Sequence, residues 1–169
     1  MIVVLMGVSG SGKTTIGTLL AQRTGAIFAD ADDFHPAANK AKMAAGIALT
    51  DEDRQPWLEA LNGLMRGWFE AKTKGVLACS ALKAKYRETL GAGLPKGAVS
   101  FVFLDGSKEM IAARLAARHH EYMNPALLES QFQTLEVPAD GLRVVNDKTP
   151  DAVVDEILAH VDIAKNEGN

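Results

Sequence analysis

The segment Gly7-Val8-Ser9-Gly10-Ser11-Gly12-Lys13-Thr14 constrains this chain more than any other, because it fits Gly-x-x-x-x-Gly-Lys-Ser/Thr in the context that gives the pattern meaning. An apolar run, residues 2–6, precedes it and reads as a strand; Ile16, Leu19 and Leu20 follow at helical spacing. Glycines let successive backbone N–H groups converge on phosphate oxygens without Cβ obstruction, and the helix that starts here aims its positive end at the same point. Gly7, Ser9, Gly10, Ser11, Gly12, Lys13, Thr14 and Thr15 are therefore expected around the phosphates of a nucleotide. Lys13 would reach the β and γ phosphates, and the Thr14 hydroxyl would ligate Mg²⁺.

The rest of the chain repeats the strand-then-helix alternation that such a loop requires. Strand-like runs fall at 26–29, 76–79, 99–104 and 142–145, nearly continuous in apolar content, as strands covered on both faces demand. Thr50 with Asp53 reads as a capping box opening a helix that carries Trp57, Leu58, Leu61, Leu64, Met65 and Trp68, both tryptophans being assigned to the core. Thr149-Pro150 opens a last helix with Val153, Val154, Ile157, Leu158 and Val161 on its apolar stripe. With 169 residues, 47% of them apolar, and no repeat or linker, one α/β domain over 1–169 is expected: a five-stranded parallel sheet in a three-layer α/β/α sandwich, with ligands at the carboxyl ends of its strands.

Composition excludes several classes. Cys79 is the only cysteine, so no intrachain disulfide can form, and its apolar neighbours predict a buried thiol. No basic leader and no membrane-length apolar stretch is present, which reads as a cytoplasmic protein without a membrane partner. The net charge of −3 with scattered lysines and arginines argues against nucleic acid as a partner. An Asp-x-x-Gly segment is absent and Asn146-Asp147-Lys148 is the wrong order for a guanine motif, which favours ATP used for chemistry over a GTP switch.

Candidate acceptor residues follow the later strands. Asp30, Asp32 and Asp33 lie at the end of the second strand, ahead of His35-Pro36, where one carboxylate could approach Mg²⁺ and another could take a proton from an attacking hydroxyl. Lys83 and Arg87, read as one helical turn apart, form either an anion clamp or a solvated pair. Arg114 and Arg118 repeat that spacing and are either phosphate ligands or surface cations, ahead of a polar, helix-breaking stretch at 119–125 that could close as a lid. His119 and His120 lack partners at metal-ligand spacing. Asp105 is either the acid of a Walker B strand or a turn residue before Gly106.

Assembled, these segments closely resemble the gluconokinases, small relatives of shikimate kinase. The resemblance covers nearly the whole chain and rests on the phosphate loop, residues 30–36, Lys42-Met43 with Gly46, Asp51-Glu52-Asp53-Arg54-Gln55-Pro56-Trp57-Leu58, Cys79-Ser80-Ala81-Leu82-Lys83 with Tyr86-Arg87, Arg114-Leu115 with Arg118, and Ser130-Gln131-Phe132 with Leu135-Glu136. It implies a P-loop kinase fold with a mobile lid at about 119–135 and ATP-dependent phosphorylation of D-gluconate at its terminal hydroxyl. It also implies Asp32 as the acceptor-side carboxylate, Asp30 nearer Mg²⁺, Arg118 as a phosphate clamp and Arg114 against the adenine. Arg54, Lys83, Arg87, His35 and Gln131 become gluconate contacts, and a homodimer becomes the expected assembly. One departure stands out: Glu121 occupies the position before Tyr122-Met123 where the family commonly has histidine. A kinase for another small acid or a nucleoside monophosphate, and a nucleotide-sensing protein without catalysis, are the competing readings.

Overall fold

The computed structural model describes residues 1–117 and 125–164. Five strands, β1 (Ile2–Met6), β2 (Ile27–Asp30), β3 (Gly75–Ala78), β4 (Val99–Asp105) and β5 (Leu142–Val145), form one parallel sheet in the order β2-β3-β1-β4-β5. All five sequence-predicted strands are present, with boundaries displaced by at most one residue. Helices α1 (Lys13–Thr24), α2 (Ala37–Ala44), α3 (Asp51–Glu70), α4 (Ala84–Gly91), α5 (Lys108–Ala117), α6 (Pro125–Thr134) and α7 (Pro150–His160) connect and cover them.

Burial explains why the strands read as continuous apolar runs. On β1 the period of two sends Ile2, Val4 and Met6 to one face, against Trp57, Leu61, Met65 and Trp68 of α3 and Leu90 of α4. Val3 and Leu5 point to the other, against Ile16 and Leu20 of α1 and Val153, Val154 and Ile157 of α7. Both faces are dry, as a parallel sheet requires. The α3 capping box is formed, Thr50 Oγ1 accepting from Asp53 N and the Asp53 carboxylate from Thr50 N, and Thr149 caps α7 through Ala152 N. Cys79 is 1% exposed at the end of β3, and burial pushes its thiol up to about 12.

The strand order decides where ligands can sit. From central β1 the chain crosses to the edge strand β2, returns through β3 beside β1, then continues to β4 on the other side. The reversal opens a crevice beyond the carboxyl end of β1, and the phosphate loop, the carboxylates after β2 and Ser80 after β3 all emerge there. A third, smaller apolar cluster, Val8, Leu82, Ile111 and Leu128 with Leu115, Phe132 and Leu135, seats α6 over this end of the sheet.

Candidate active site

At the donor end, β1 stops at Met6 and Gly7 N donates to Ser80 O at 3.2 Å. The loop then turns through Gly10 at φ 80° and Gly12 at φ 100°. Both positions refuse a side chain: a Cβ on Gly12 would lie 2.3 Å from Asn146 Nδ2, and one on Gly10 2.8 Å from Leu115. Lys13 folds back across the loop, donating to Gly7 O and Val8 O at 2.9 Å each. Asn146 Nδ2 donates to Ser11 O at 2.7 Å, and Arg114 donates to the Asn146 carbonyl, so α5 and the end of β5 brace the loop from behind. Ser11 Oγ is buried against Gly7 and has no hydrogen-bond partner among the described residues, and Ser11 N turns inward to Val8 O. The glycine-permitted turn, the lysine poised on its own carbonyls and the start of α1 make a cradle that fits nucleotide phosphates.

Next to it, the Thr14 hydroxyl donates to Asp30 Oδ2 at 3.0 Å, while Asp30 Oδ1 accepts from Asp32 N at 3.0 Å. A hydroxyl and a carboxylate side by side are hard oxygen donors, a pair that fits Mg²⁺ and would hold it beside nucleotide phosphates. Asp105, by contrast, takes the turn role: it accepts from Gly106 N at 2.8 Å and pairs with Arg143 on β5.

The acceptor end is a cavity of about 330 Å³ opening from the phosphate loop. Ser9, Lys13 and Thr14 of the loop line it together with Asp30, Asp32 and His35, Arg54 and Trp57 of α3, and Ser130 and Gln131 of α6. Gln131 is tied to the loop, its Oε1 accepting from Ser9 N at 2.7 Å and its Nε2 donating to Ser9 Oγ at 3.1 Å. Arg54 Nη1 donates to Leu49 O at 2.8 Å and to the Tyr86 hydroxyl at 3.1 Å, with the guanidinium carbon 5.4 Å from the Tyr86 ring centre. His35 stacks on Trp57 at 4.1 Å, and burial, then the charges of Arg54 and Lys40, lower its pKa to about 4. Trp57 is thus core on one side and cavity wall on the other, more than the sequence reading gave it.

Two expected acceptor contacts do not line this cavity. Lys83 and Arg87 do not share a helical face, because Lys83 is the extended N-cap of α4 (φ −105°, ψ 147°). Its ammonium pairs with Asp51 at 3.3 Å, which also receives Lys85 and the Tyr86 hydroxyl; these partners, Lys85 foremost, hold the Asp51 carboxyl well below the usual range. Arg87 donates to Ala81 O at 2.8 Å and lines a separate cavity with Glu136 and His160. Arg118 and the first part of the expected lid, through Asn124, lie outside the described residues; the remainder of that lid is α6. Asp51 and Tyr86, which set the position of Arg54, and Asn39, which touches His35, were not singled out from sequence as site residues. Asp51 and Tyr86 stood inside the segments that carry the resemblance, whereas nothing marked Asn39.

A family model described as an AAA domain matches residues 2–138. The gluconokinase of Gluconobacter oxydans (strain 621H) is 47% identical over 161 residues, covering 93% of this chain and 89% of its own. The chain belongs to the gluconokinase family. The thermosensitive gluconokinase of Escherichia coli (strain K12) is 50% identical over 135 residues, covering 80% of this chain and 71% of its own. A crystal structure of a gluconokinase from Sinorhizobium meliloti 1021 superposes with a TM-score of 0.85 at 39% identity, over 95% of this chain and 90% of that one. The fold read from the sequence, a P-loop kinase built on a five-stranded parallel sheet, is that of a gluconokinase.

Proposed function

We propose that this gluconokinase-family chain transfers the γ-phosphoryl group of ATP to the terminal hydroxyl of D-gluconate, giving 6-phosphogluconate and ADP. The observation that carries the reading is one cavity lined by both the phosphate cradle and a restrained arginine. Arg54 spends Nη1 on Leu49 and Tyr86, and its remaining N–H groups form a fork suited to the gluconate carboxylate. Gripping that end leaves the terminal hydroxyl to reach the loop. There Asp32 is the carboxylate that accepts or orients the hydroxyl proton, and Lys13 exchanges the carbonyls of Gly7 and Val8 for phosphate oxygens. ATP supplies the phosphoryl group, and Thr14 and Asp30 would hold Mg²⁺, which would supply charge neutralisation for the transfer. Arg114 is assigned to the adenine side and Arg118 to the transferring phosphate, both from the family resemblance. Lys83 and Arg87 serve this reading indirectly, Lys83 through Asp51 and Arg87 through the Ala81 carbonyl beside Ser80.

No described helix is long and apolar enough to cross a membrane. A cytoplasmic homodimer is part of the same proposal, resting on the resemblance and checked by sedimentation. The functional test is ADP release, coupled to NADH oxidation, with gluconate, shikimate, other aldonates and nucleoside monophosphates offered in turn. Turnover with gluconate is expected. Turnover of another acceptor with gluconate inert would replace the assignment, and ATP binding without acceptor-stimulated ADP release would make the chain a nucleotide-sensing protein.

A further inference from the structure

The ring of His35 is held on two sides. One face lies on Trp57, with centroids 4.1 Å apart and planes 13° from parallel, and Trp57 is itself pinned by Nε1 donating to Ala31 O at 2.7 Å. At the ring edge, Asn39 Nδ2 sits 3.3 Å from His35 Nδ1 and also donates to the Asp53 carbonyl at 2.8 Å. A carbonyl oxygen only accepts, so the Asn39 atom facing Asp53 is the amide nitrogen. An amide nitrogen only donates, so His35 Nδ1 must be an acceptor and the ring hydrogen belongs on Nε2. Asn39 is 3% exposed and His35 8%, leaving little water to satisfy either group if this arrangement were broken.

We propose that Asn39 is a positioning residue that holds His35 as its neutral Nε2–H tautomer, a fixed hydrogen-bond donor to a hydroxyl oxygen of the polyol acceptor. This rests on the reading of the cavity as the gluconate site. Neutrality matters as much as direction. Arg54 lines the same cavity, and a cationic His35 would compete with it for the gluconate carboxylate and allow the acceptor to bind reversed. A neutral N–H instead selects a hydroxyl, so the carboxylate settles on Arg54 and the terminal hydroxyl faces the phosphates. Burial together with the positive charges of Arg54 and Lys40 keeps the proton off Nδ1 at working pH.

The test begins with the wild-type full chain. Nitrogen-15 NMR of the histidine rings, with His35 assigned by its loss in His35→Gln, is expected to show Nε2 protonated and Nδ1 bare. In Asn39→Asp the new carboxylate accepts where the amide donated, so the hydrogen is expected to move to Nδ1. The gluconate KM should then rise roughly tenfold with the ATP KM unchanged, the scale of one lost hydrogen bond. In a His35→Ala background the same substitution should add nothing to the gluconate KM, whereas a purely structural role for Asn39 would make the two losses additive. An Nδ1–H tautomer in the wild type, or additive losses, would overturn the proposal. If Asn39→Asp fails to fold, the wild-type spectrum still decides the tautomer. Absence of gluconate turnover in the wild type would instead overturn the functional reading, with the tautomer read independently from the same spectra.

Discussion

The two ends of the cavity are built on different principles. The donor end is backbone work: a contiguous loop whose glycines adopt φ angles of 80° and 100°, closed by a lysine that rests on carbonyls five and six residues away. The acceptor end is side-chain work gathered from separated segments. Arg54 on α3 leans on Tyr86 of α4, 32 positions later; Tyr86 in turn bonds Asp51, and His35 is set by Trp57 and Asn39. The donor end is the kind of site many kinases can share, whereas the acceptor end has independent parts that can change one at a time. Substitutions at the first should therefore cost turnover, and those at the second should be felt mainly through the acceptor.

The largest losses are expected where the two ends meet. Lys13→Ala and Asp32→Asn should each lower turnover by roughly 10² to 10³, the range for one preorganised electrostatic group, measured by initial rates at saturating ATP and gluconate. Unchanged turnover in a folded Asp32→Asn variant would remove Asp32 from the chemistry. Arg54→Ala comes next: the gluconate KM should rise roughly 10- to 100-fold, as for hydrogen bonds to a charged group, with the ATP KM held. A selective collapse of ATP affinity would break the division between the ends. Tyr86→Phe removes only the hydroxyl between Arg54 and Asp51, and a rise in gluconate KM of roughly fivefold is expected.

The smallest effect is on stability in acid. Asp53, bonded to Lys42 and to Thr50 N at the start of α3, has its pKa lowered to about 2 from the ordinary 3.8. A depressed carboxylate binds fewer protons folded than unfolded, so its stabilisation is complete above about pH 4 and lost as pH falls towards 2. Urea midpoints against pH should show Asp53→Asn less stable than wild type at neutral pH and converging with it across that window. Parallel curves would detach the Asp53 carboxylate from the hold on α3.

The contrast between the ends also explains what the sequence could and could not convey. A loop whose chemistry lies in consecutive backbone groups leaves a contiguous signature, so Gly7 through Thr14 were readable at once. Buried parallel strands do the same, since Val3 and Val4 face opposite layers and are both apolar. Arg54 and Gln131 were reached through resemblance, because the partners that orient them, Tyr86 and Ser9, are 32 and 122 positions away. The pairing of Lys83 with Arg87 went astray for a local reason: Lys83 is still extended, and its ammonium turns to Asp51 instead. Asp105 was ambiguous because its deciding partner, Arg143, comes from the neighbouring strand. Asn39 and His35 are likewise four positions apart with the first residue extended, yet they meet, and nothing in the letters separates such a pair from any surface Asn and His.

The central claim is that Arg54 holds the carboxylate and so delivers the opposite end of the sugar acid to the phosphate loop. Phosphorus-31 NMR of the product formed from ATP and gluconate tests it directly. A single phosphate monoester on the terminal primary hydroxyl, with stoichiometric ADP, is the expected result; phosphate on a secondary hydroxyl or on the carboxylate, or ADP with inorganic phosphate alone, would contradict it.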